Sequence, residues 1–472
     1  MTPTAEQLSI IEAVRTTPDN LILTAYAGAA KTTTLVMICE ALAGTPMLSL
    51  AFNKRIAEEM TKRLPGHVLS STLNSQGHRI WASACAKRLK LDSGKSGTIL
   101  KELIGAMKKP HADAVWKEFP EIIRAVSAAK SAGYIPTGKW SHVKSLCTFD
   151  EFYDTLDDVL SHPTLIDEIL NESIRQAYDG TIDFDDQIYM PTLFGGTFPR
   201  FPVVCVDEAQ DLSPLNHAML RKFVTKRLIV VGDPYQSIYG FRGAAQNGMD
   251  KLKQMFSMRE LRLSISFRCP KSVVTVARSR VPDMQYPDWA VDGHVSHLDR
   301  WSETNVPDGA AVICRNNAPL FRLALALIRR GRGIQLIGSD IGGRLVKILR
   351  KFGDESISQA EVLSQIDQWH TAQVRKRGRE TPAISDTAEC LTVFAMAGPN
   401  LAAAIAHAEH VFAAKGPVLL MTGHKAKGLE FDHVFFLDPF RIGDDDQELN
   451  IAYVIQTRAK MSLTHVTMDN FF

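Results

Sequence analysis

Short apolar runs alternate with amphipathic segments from the first residues of the chain, and this pattern predicts a parallel β-sheet flanked by helices. Apolar positions three and four residues apart predict a first helix over 4–16. The apolar run that starts at Leu21 predicts a buried strand, and residues 46–52 and 67–73 predict two more, each followed by a helical pattern. Ligands of such sheets bind at the carboxyl ends of the strands.

Two stretches interrupt this alternation, because their apolar residues recur only at helical spacing. We therefore predict an α/β fold with two parallel-sheet domains, each carrying a helical insertion. Residues 448–460 predict a final helix, which would contain Arg458. The predicted boundaries are 1–80 and 181–256 for the first domain, 81–180 for its insertion, 257–345 and 413–472 for the second domain, and 346–412 for its shorter insertion.

The stretch LILTAYAGAAKTTT (21–34) has the order strand, small-residue turn, helix, which is typical of a phosphate-binding loop. Against the pattern GxxxxGK[ST], alanines occupy both glycine positions, Ala25 and Ala30. A methyl group at Ala30 would crowd a phosphate, or be harmless if the residue kept a negative φ. Lys31 would contact the outer phosphates and Thr32 would bind magnesium. The predicted phosphate-binding residues are Ala27, Gly28, Ala29, Ala30, Lys31, Thr32 and Thr33.

Acidic and amide side chains follow two later strands, where they would lie beside the phosphate loop at the same sheet edge. Asp207 would hold magnesium, and Glu208 would orient and deprotonate an attacking water. The alternative is an ordinary solvated strand end. Gln236, after the next strand, is suited to contact a γ-phosphate.

Aromatic and basic residues on loops indicate contacts with nucleic acid and with phosphate. Tyr239, Phe241 and Arg242 suit base stacking plus a phosphate contact, although packing under the loop is the alternative for the two rings. Arg268 and Arg458 could deliver positive charge to a γ-phosphate, or could be surface arginines. His424 lies in a polar loop between two apolar strands and has no partner at metal-ligand spacing.

Composition narrows the class of protein. The 472 residues are 45% hydrophobic and 22% charged, as in globular proteins of several domains, and the net charge of +2 restricts any nucleic-acid surface to a local groove. Seven scattered cysteines without a CxxC pair favour a reducing compartment over a zinc or disulfide framework. No apolar run reaches the ~18 residues of a membrane span, and we expect a soluble intracellular protein.

Taken in order, these stretches resemble the motifs of the UvrD/Rep family of superfamily 1 DNA helicases. FNK together with HKAKGLEFD is most similar to the F-box DNA helicase branch and to compact phage relatives. Asn74 stands where the family usually has histidine. The motifs in chain order are EQ near Gln7, AYAGAAKT, FNK, DEAQD, GDPYQSIYGFRGA, SFR, TGHKAKGLEF and YVIQTRAK.

The resemblance implies two RecA-like P-loop motor domains, with ATP in the cleft and single-stranded DNA across the top. It implies that Gln7 reads adenine, although position alone favours a capping role for this residue. Phe267 would stack near the base, Glu430 would approach the ribose, and Arg268 and Arg458 would act as arginine fingers. The implied DNA-facing or coupling residues are Phe52, Asn53, Asn74, Tyr239, Phe241, Arg242 and His424.

Together with these residues, the resemblance implies a DNA-stimulated ATP hydrolase that uses ATP and Mg²⁺ and moves as a helicase on DNA, with the family's 3′ to 5′ polarity as an expectation. The expected setting is replication, recombination or repair, in the cytoplasm or nucleoid of a bacterium or phage host, or in a eukaryotic nucleus. One alternative is a translocase that strips proteins from DNA, and another is a nucleotide-gated DNA-binding protein with weak or no hydrolysis. We expect a monomer that binds single strands and single-strand/duplex junctions, with replication or recombination proteins as possible partners.

Overall fold

The computed structural model describes residues 2–140, 142–156, 160–238, 247–338 and 340–472. The chain divides into two compact units. The first contains the residues up to Ala25 together with Ala30–Leu263, and the second contains Tyr26–Ala29 and Ser264–Phe472. The chain therefore changes unit before Tyr26, after Ala29 and after Leu263.

The first unit is built on a six-stranded sheet in the order β3-β2-β6-β7-β1-β8, with parallel pairing throughout. A separate parallel pair, β4 and β5, lies beside the helical insertion. The strands are β1 (Leu21–Ala25), β2 (Met47–Leu50), β3 (Val68–Ser71), β4 (Lys90–Leu91), β5 (Thr181–Ile182), β6 (Phe201–Val206), β7 (Val224–Gly232) and β8 (Arg259–Leu263).

Helices cover this sheet and also form the insertion, whose own core includes Ile99, Val126 and Ile166. The helices of the unit are α1 (Ala5–Thr16), α2 (Lys31–Ala41), α3 (Lys54–Arg63), α4 (Leu73–Cys85), α5 (Lys95–Gly105), α6 (Lys109–Lys117), α7 (Phe119–Ala132), α8 (Phe149–Tyr153), α9 (Thr164–Tyr178), α10 (Asp186–Tyr189), α11 (Pro214–Phe223) and α12 (Gly248–Met255).

The second unit has its own six-stranded parallel sheet, in the order β11-β12-β10-β13-β14-β9. Its strands are β9 (His294–His297), β10 (Ala311–Cys314), β11 (Ile334–Leu336), β12 (Val418–Thr422), β13 (Phe431–Leu437) and β14 (Ala459–Val466). Its helices are α13 (Lys271–Ala277), α14 (Asn317–Arg329), α15 (Asp340–Leu349), α16 (Gln359–Arg377), α17 (Pro382–Ala395), α18 (Leu401–Ala413), α19 (Gly423–Ala426) and α20 (Asp446–Gln456). No helix in the described ranges is long and apolar enough to cross a bilayer.

The predicted fold class is confirmed, since both sheets are parallel and alternate with helices. Two local differences concern element ends. Strand β8 pairs with β1 and ends at Leu263, so the first unit extends beyond the predicted boundary at residue 256. The last helix ends at Gln456, so Arg458 lies in the turn before β14 and not in the helix. The residues from Ala459 onward leave the helical pattern because they pair with β13 as strand β14.

Helix α1 is fixed to the sheet by a buried arginine on β7. The guanidinium of Arg227 donates to the backbone carbonyls of Ala13 and Val14 in the last turn of α1, and to the backbone carbonyl of Asp19 beyond it. A cation at a helix C-terminus satisfies carbonyls that have no partner within the helix and complements the helix dipole. Arg227 therefore holds the helix that carries Gln7.

Replacing Arg227 by methionine should lower the free energy of unfolding by about 2–4 kcal/mol, because buried carbonyls lose a charged donor. Chemical denaturation monitored by circular dichroism measures this change. Lys226→Met is the matched control, since it removes the same charge from the adjacent exposed position. An equal effect of both substitutions would mean that charge, and not the cap, is responsible.

Candidate functional site

The phosphate loop joins the end of β1 to the first residue of α2, Lys31, as predicted. Thr32 and Thr33 follow in the first turn of this helix. Ala30 is the residue before the helix, and its backbone is left-handed, with φ 55° and ψ 38°. The harmless case, a negative φ at Ala30, is therefore not the one found. An alanine in this conformation costs about 1–2 kcal/mol relative to the right-handed form.

The tip of the loop, Tyr26–Ala29, belongs to the second unit. Gly28 has φ 75°, and a Cβ there would lie 2.6 Å from Cβ of Arg268, so this position requires glycine. The amide of Phe267 donates to the Gly28 carbonyl at 2.9 Å. The loop tip is thus held against the segment that carries two of the predicted site residues.

Two tyrosines also hold the loop tip. The hydroxyl of Tyr26 donates to Asp283 at 2.6 Å, and the amide of Ala27 donates to the hydroxyl of Tyr453 at 2.9 Å. The large residue at position 26 therefore has a structural role in place of the small residue usual in such loops. Tyr453 was not predicted as a site residue, although it lies within the last motif quoted from the sequence.

Lys31 forms an ion pair with Glu208 at the carboxyl edge of the first sheet. Its Nζ lies 2.9 Å from both carboxylate oxygens of Glu208, and both side chains are largely buried. Glu208 follows β6 with a left-handed backbone, φ 54° and ψ 44°, and its amide donates to Asp207. Strained non-glycine residues of this kind are concentrated at functional sites. The structure therefore joins the predicted phosphate-binding lysine to the predicted general base.

The acidic groups around Lys31 carry more negative charge than this one lysine neutralises. Burial raises the pKa of Asp207 to about 6, and the charge of Glu208 adds to the effect. Burial likewise raises the pKa of Asp233 to about 6. Burial alone would lower the pKa of Lys31, but the charges of the three carboxylates outweigh it and the pKa is raised. Crowded carboxylates of this kind suit a divalent cation.

A chain of amides continues from Glu208 along the strand ends. Gln210 donates to Glu208 at 2.5 Å, and its carbonyl oxygen accepts from the amide of Asp233. Gln236 donates to Asp233 at 2.6 Å, so the predicted γ-phosphate contact is tied to the acidic cluster. Gln210 and Asp233 were not among the predicted site residues. The signal that could have found them is their position: Asp233 directly follows β7, and Gln210 lies four residues after the end of β6.

Gln7 has the capping role that its position favours. Its side-chain oxygen accepts from the amide of Thr4 while the Thr4 hydroxyl accepts from the amide of Gln7, which is a capping box. Its amide nitrogen donates to Thr34 on the helix of the phosphate loop at 3.0 Å. The adenine contact implied by the family resemblance stays a prediction.

In the second unit, Arg268 and Glu430 are brought together. The guanidinium Nε of Arg268 lies 2.7 Å from the Glu430 carboxylate. Phe267 is half-buried and its ring stacks on Trp289 with centroids 6.2 Å apart. Arg458 is buried and donates to the carbonyls of Val454 and Leu429. The finger, base and ribose roles of these residues stay predictions.

Three of the predicted DNA-facing residues line one groove of about 960 Å³ in the first unit. Phe52 is exposed, and Asn53 caps α3 by accepting from the amide of Ile56. Asn74 donates to the carbonyl of Phe184 and to the side chain of Gln187, both at 2.9 Å. The exposed ring of Phe184 lines the same groove and was not predicted.

Four further residues were predicted to contact DNA. His424 lies on α19 in the second unit and is partly exposed. Tyr239, Phe241 and Arg242 lie outside the described residues.

Ala30→Gly should raise the free energy of unfolding by about 0.5–1 kcal/mol, because relief of the left-handed strain exceeds the extra unfolded-chain entropy of glycine. Chemical denaturation measures the change. Ala29→Gly in the same loop is the control, since Ala29 does not have a positive φ. That substitution should destabilise by about 0.5–1 kcal/mol. Destabilisation by both would mean that Ala30 is not strained.

Comparison with known proteins finds the same family in both halves of the chain. Residues 5–257 match the UvrD/REP helicase N-terminal domain, and residues 417–466 match the UvrD-like helicase C-terminal domain. F-box DNA helicase protein 1 of Schizosaccharomyces pombe is 24% identical, over 98% of this chain and 57% of that protein. DNA helicase II of Escherichia coli is 25% identical, over 57% of this chain and 39% of that protein.

The ATP-dependent DNA helicase PcrA of Staphylococcus aureus is 25% identical, over 56% of this chain and 38% of that protein. The chain thus spans between about two fifths and three fifths of the length of these relatives. The resemblance inferred from the motifs is confirmed. Since the N-terminal family match alone covers more than half of the sequence, the chain belongs to the UvrD/REP helicase family.

Proposed function

We propose that this chain is an ATP-dependent DNA helicase that moves 3′ to 5′ along single-stranded DNA. The observation that carries the proposal is the ion pair between Lys31 and Glu208 at the carboxyl edge of a parallel sheet. It joins a phosphate-loop lysine to a carboxylate on the strand end where a general base for water attack is needed. The polarity rests on the family alone.

In the proposed ATP hydrolysis, Lys31 first exchanges its partner Glu208 for the phosphates of ATP. The phosphates of ATP compete with Glu208 for the ammonium group, and Lys31 turns to them. The Glu208 carboxylate then orients a water molecule and accepts its proton. Gln210 keeps the carboxylate in position, and its bond to the Asp233 amide links this change to Gln236.

Magnesium fits the donor set at this edge. Asp207 and the Thr32 hydroxyl would hold the ion, and the excess carboxylate charge around Lys31 favours a divalent cation. When bound, the ion supplies positive charge to the phosphate oxygens. With a pKa of about 6, Asp207 is mostly ionised at neutral pH and available as a ligand.

Arg268 would supply positive charge to the γ-phosphate. Arg268 directly follows Phe267, whose amide binds the phosphate-loop carbonyl of Gly28. Its pairing with the half-exposed Glu430 holds the guanidinium in place until a phosphate competes for it. We propose the same role for Arg458 on the basis of its motif.

Single-stranded DNA would bind in the groove of the first unit. Phe52 and Phe184 offer exposed rings for stacking, and Lys54 and Arg79 offer charges to the backbone. We propose His424 as a further DNA contact on the basis of its motif. A single strand next to a duplex is the substrate that a helicase of this class requires.

Glu208→Gln should reduce ATP turnover by about 10²- to 10⁴-fold while ATP binding remains, because only the proton acceptor is lost. Lys31→Ala should abolish turnover and weaken ATP binding as well, because the phosphates lose a cation. Phosphate release and equilibrium binding of a fluorescent ATP analogue measure the two quantities. Glu40→Gln, at the exposed end of α2, is the control and should behave as the wild type.

ATP turnover with and without oligothymidylate, together with strand displacement from 3′- and 5′-tailed duplexes, tests the function. We expect stimulated turnover and displacement from the 3′-tailed duplex alone. Stimulated turnover without displacement, but with removal of streptavidin from biotinylated DNA, would favour the protein-stripping alternative. No turnover under any condition would refute both enzymes and favour nucleotide-gated DNA binding.

A further inference from the structure

A buried ion cluster lies in the first unit, apart from the residues assigned to ATP chemistry. Lys95 at the start of α5 donates to Asp186 and to the carbonyl of Ser173, both at 2.6 Å. Lys130 on α7 donates to Asp183 at 2.6 Å, to Asp186 at 2.8 Å and to the Ser173 hydroxyl at 3.1 Å. Both lysines are at most 1% exposed. The cluster therefore joins three helices of the insertion to the segment after β5.

Asp183 and Asp186 also accept hydrogen bonds from each other's backbone amides. The amide of Asp183 donates to Asp186, and the amide of Asp186 donates to Asp183. Burial lowers the pKa of Lys130, but the charges of Asp183 and Asp186 outweigh it and keep the lysine charged. Buried ion pairs are poor sources of net stability, because desolvation offsets most of their attraction. Their fixed geometry suggests a role in positioning.

The segment held by the cluster forms a wall of the DNA groove. Phe184 and Asp185 lie between the two paired acids, and Gln187 follows them; all three line the groove. Phe184 is 55% exposed, although Asp183 before it and Asp186 two positions after it are buried. The carbonyl of Phe184 and the side chain of Gln187 both accept from Asn74. The cluster thus holds the segment that carries an exposed aromatic residue and that accepts both hydrogen bonds from Asn74.

A glycine on α4 provides a second constraint on this wall. A Cβ at Gly77 would lie 1.8 Å from the backbone oxygen of Gln187, a distance that no side chain tolerates. Helix α4, which carries Asn74, therefore approaches the wall segment as closely as backbone permits.

We propose that Lys95 and Lys130 are positioning residues for single-stranded DNA binding, acting through the segment Asp183–Gln187 and its ring Phe184. This inference rests on the proposed function, because it assigns the groove to DNA. Lys130 borders the groove, but its side chain is buried among its acceptors, so neither lysine contacts DNA in this proposal. They hold the ring of Phe184 and the acceptors of Asn74 in fixed positions, so the groove is preorganised for DNA.

Lys130→Met tests the proposal in the full chain. The concentration of oligothymidylate that half-stimulates ATP turnover should rise about tenfold, the loss expected when one base–aromatic stack is misplaced. Basal turnover should stay within about twofold of the wild type, since a general loss of folded protein would reduce both quantities. Lys101→Met on α5 removes the same charge from an exposed position, and its half-stimulating concentration should be unchanged.

Gly77→Ala decides the matter if Lys130→Met does not fold, because it displaces the same wall without unpairing a charge. It should weaken binding of fluorescein-labelled oligothymidylate about tenfold, by fluorescence anisotropy, at unchanged basal turnover. Wild-type affinity in either folded variant would overturn the positioning role. Failure of the wild-type chain itself to bind oligothymidylate would contradict the proposed function instead, so the two failures are distinguishable.

Discussion

Lys31 and Glu208 are 177 residues apart in the chain, and their ion pair forms only because of the order of strands in the first sheet. Strand β7 lies between β1 and β6, and all three run parallel, so the segments after them meet at one edge. Gln210, Asp233 and Gln236 are brought to the same edge by the same geometry. The site therefore depends on sheet topology more than on any single loop.

Backbone strain occurs on both sides of this ion pair. Ala30 and Glu208 are two of the few described non-glycine residues with positive φ, and each directly precedes a helical turn that begins at the site. Such conformations cost of order 1–3 kcal/mol each and persist where the surrounding structure holds them. At Glu208 the left-handed turn directs the carboxylate to Lys31. At Ala30 the alanine accepts a conformation that glycine would adopt without strain.

The two lysine–carboxylate networks of the first unit differ in a way that matches their proposed roles. The pair of Lys31 and Glu208 retains some solvent exposure, so a phosphate can compete for the lysine. The side chain of Lys130 is buried, and each of the three donors of its ammonium group has an acceptor. A network that exchanges partners suits catalysis, while one that cannot exchange them suits the positioning of a binding surface.

The sequence alone determined the fold class and the segments that carry the site, because hydrophobic periodicity and strand-end residues are local properties of the chain. Because the carboxyl ends of parallel strands meet at one sheet edge, it also predicted that Lys31, Asp207 and Glu208 lie close together. It could not give the left-handed φ of Ala30, the bonds of Tyr26 and Tyr453 to their partners, or the place of Gln210. It also offered no sign of the Lys95 and Lys130 cluster, whose members look like ordinary helix and loop charges. These features were decided by tertiary structure alone, since each depends on which distant segments pack together and on which polar groups burial then compels to pair.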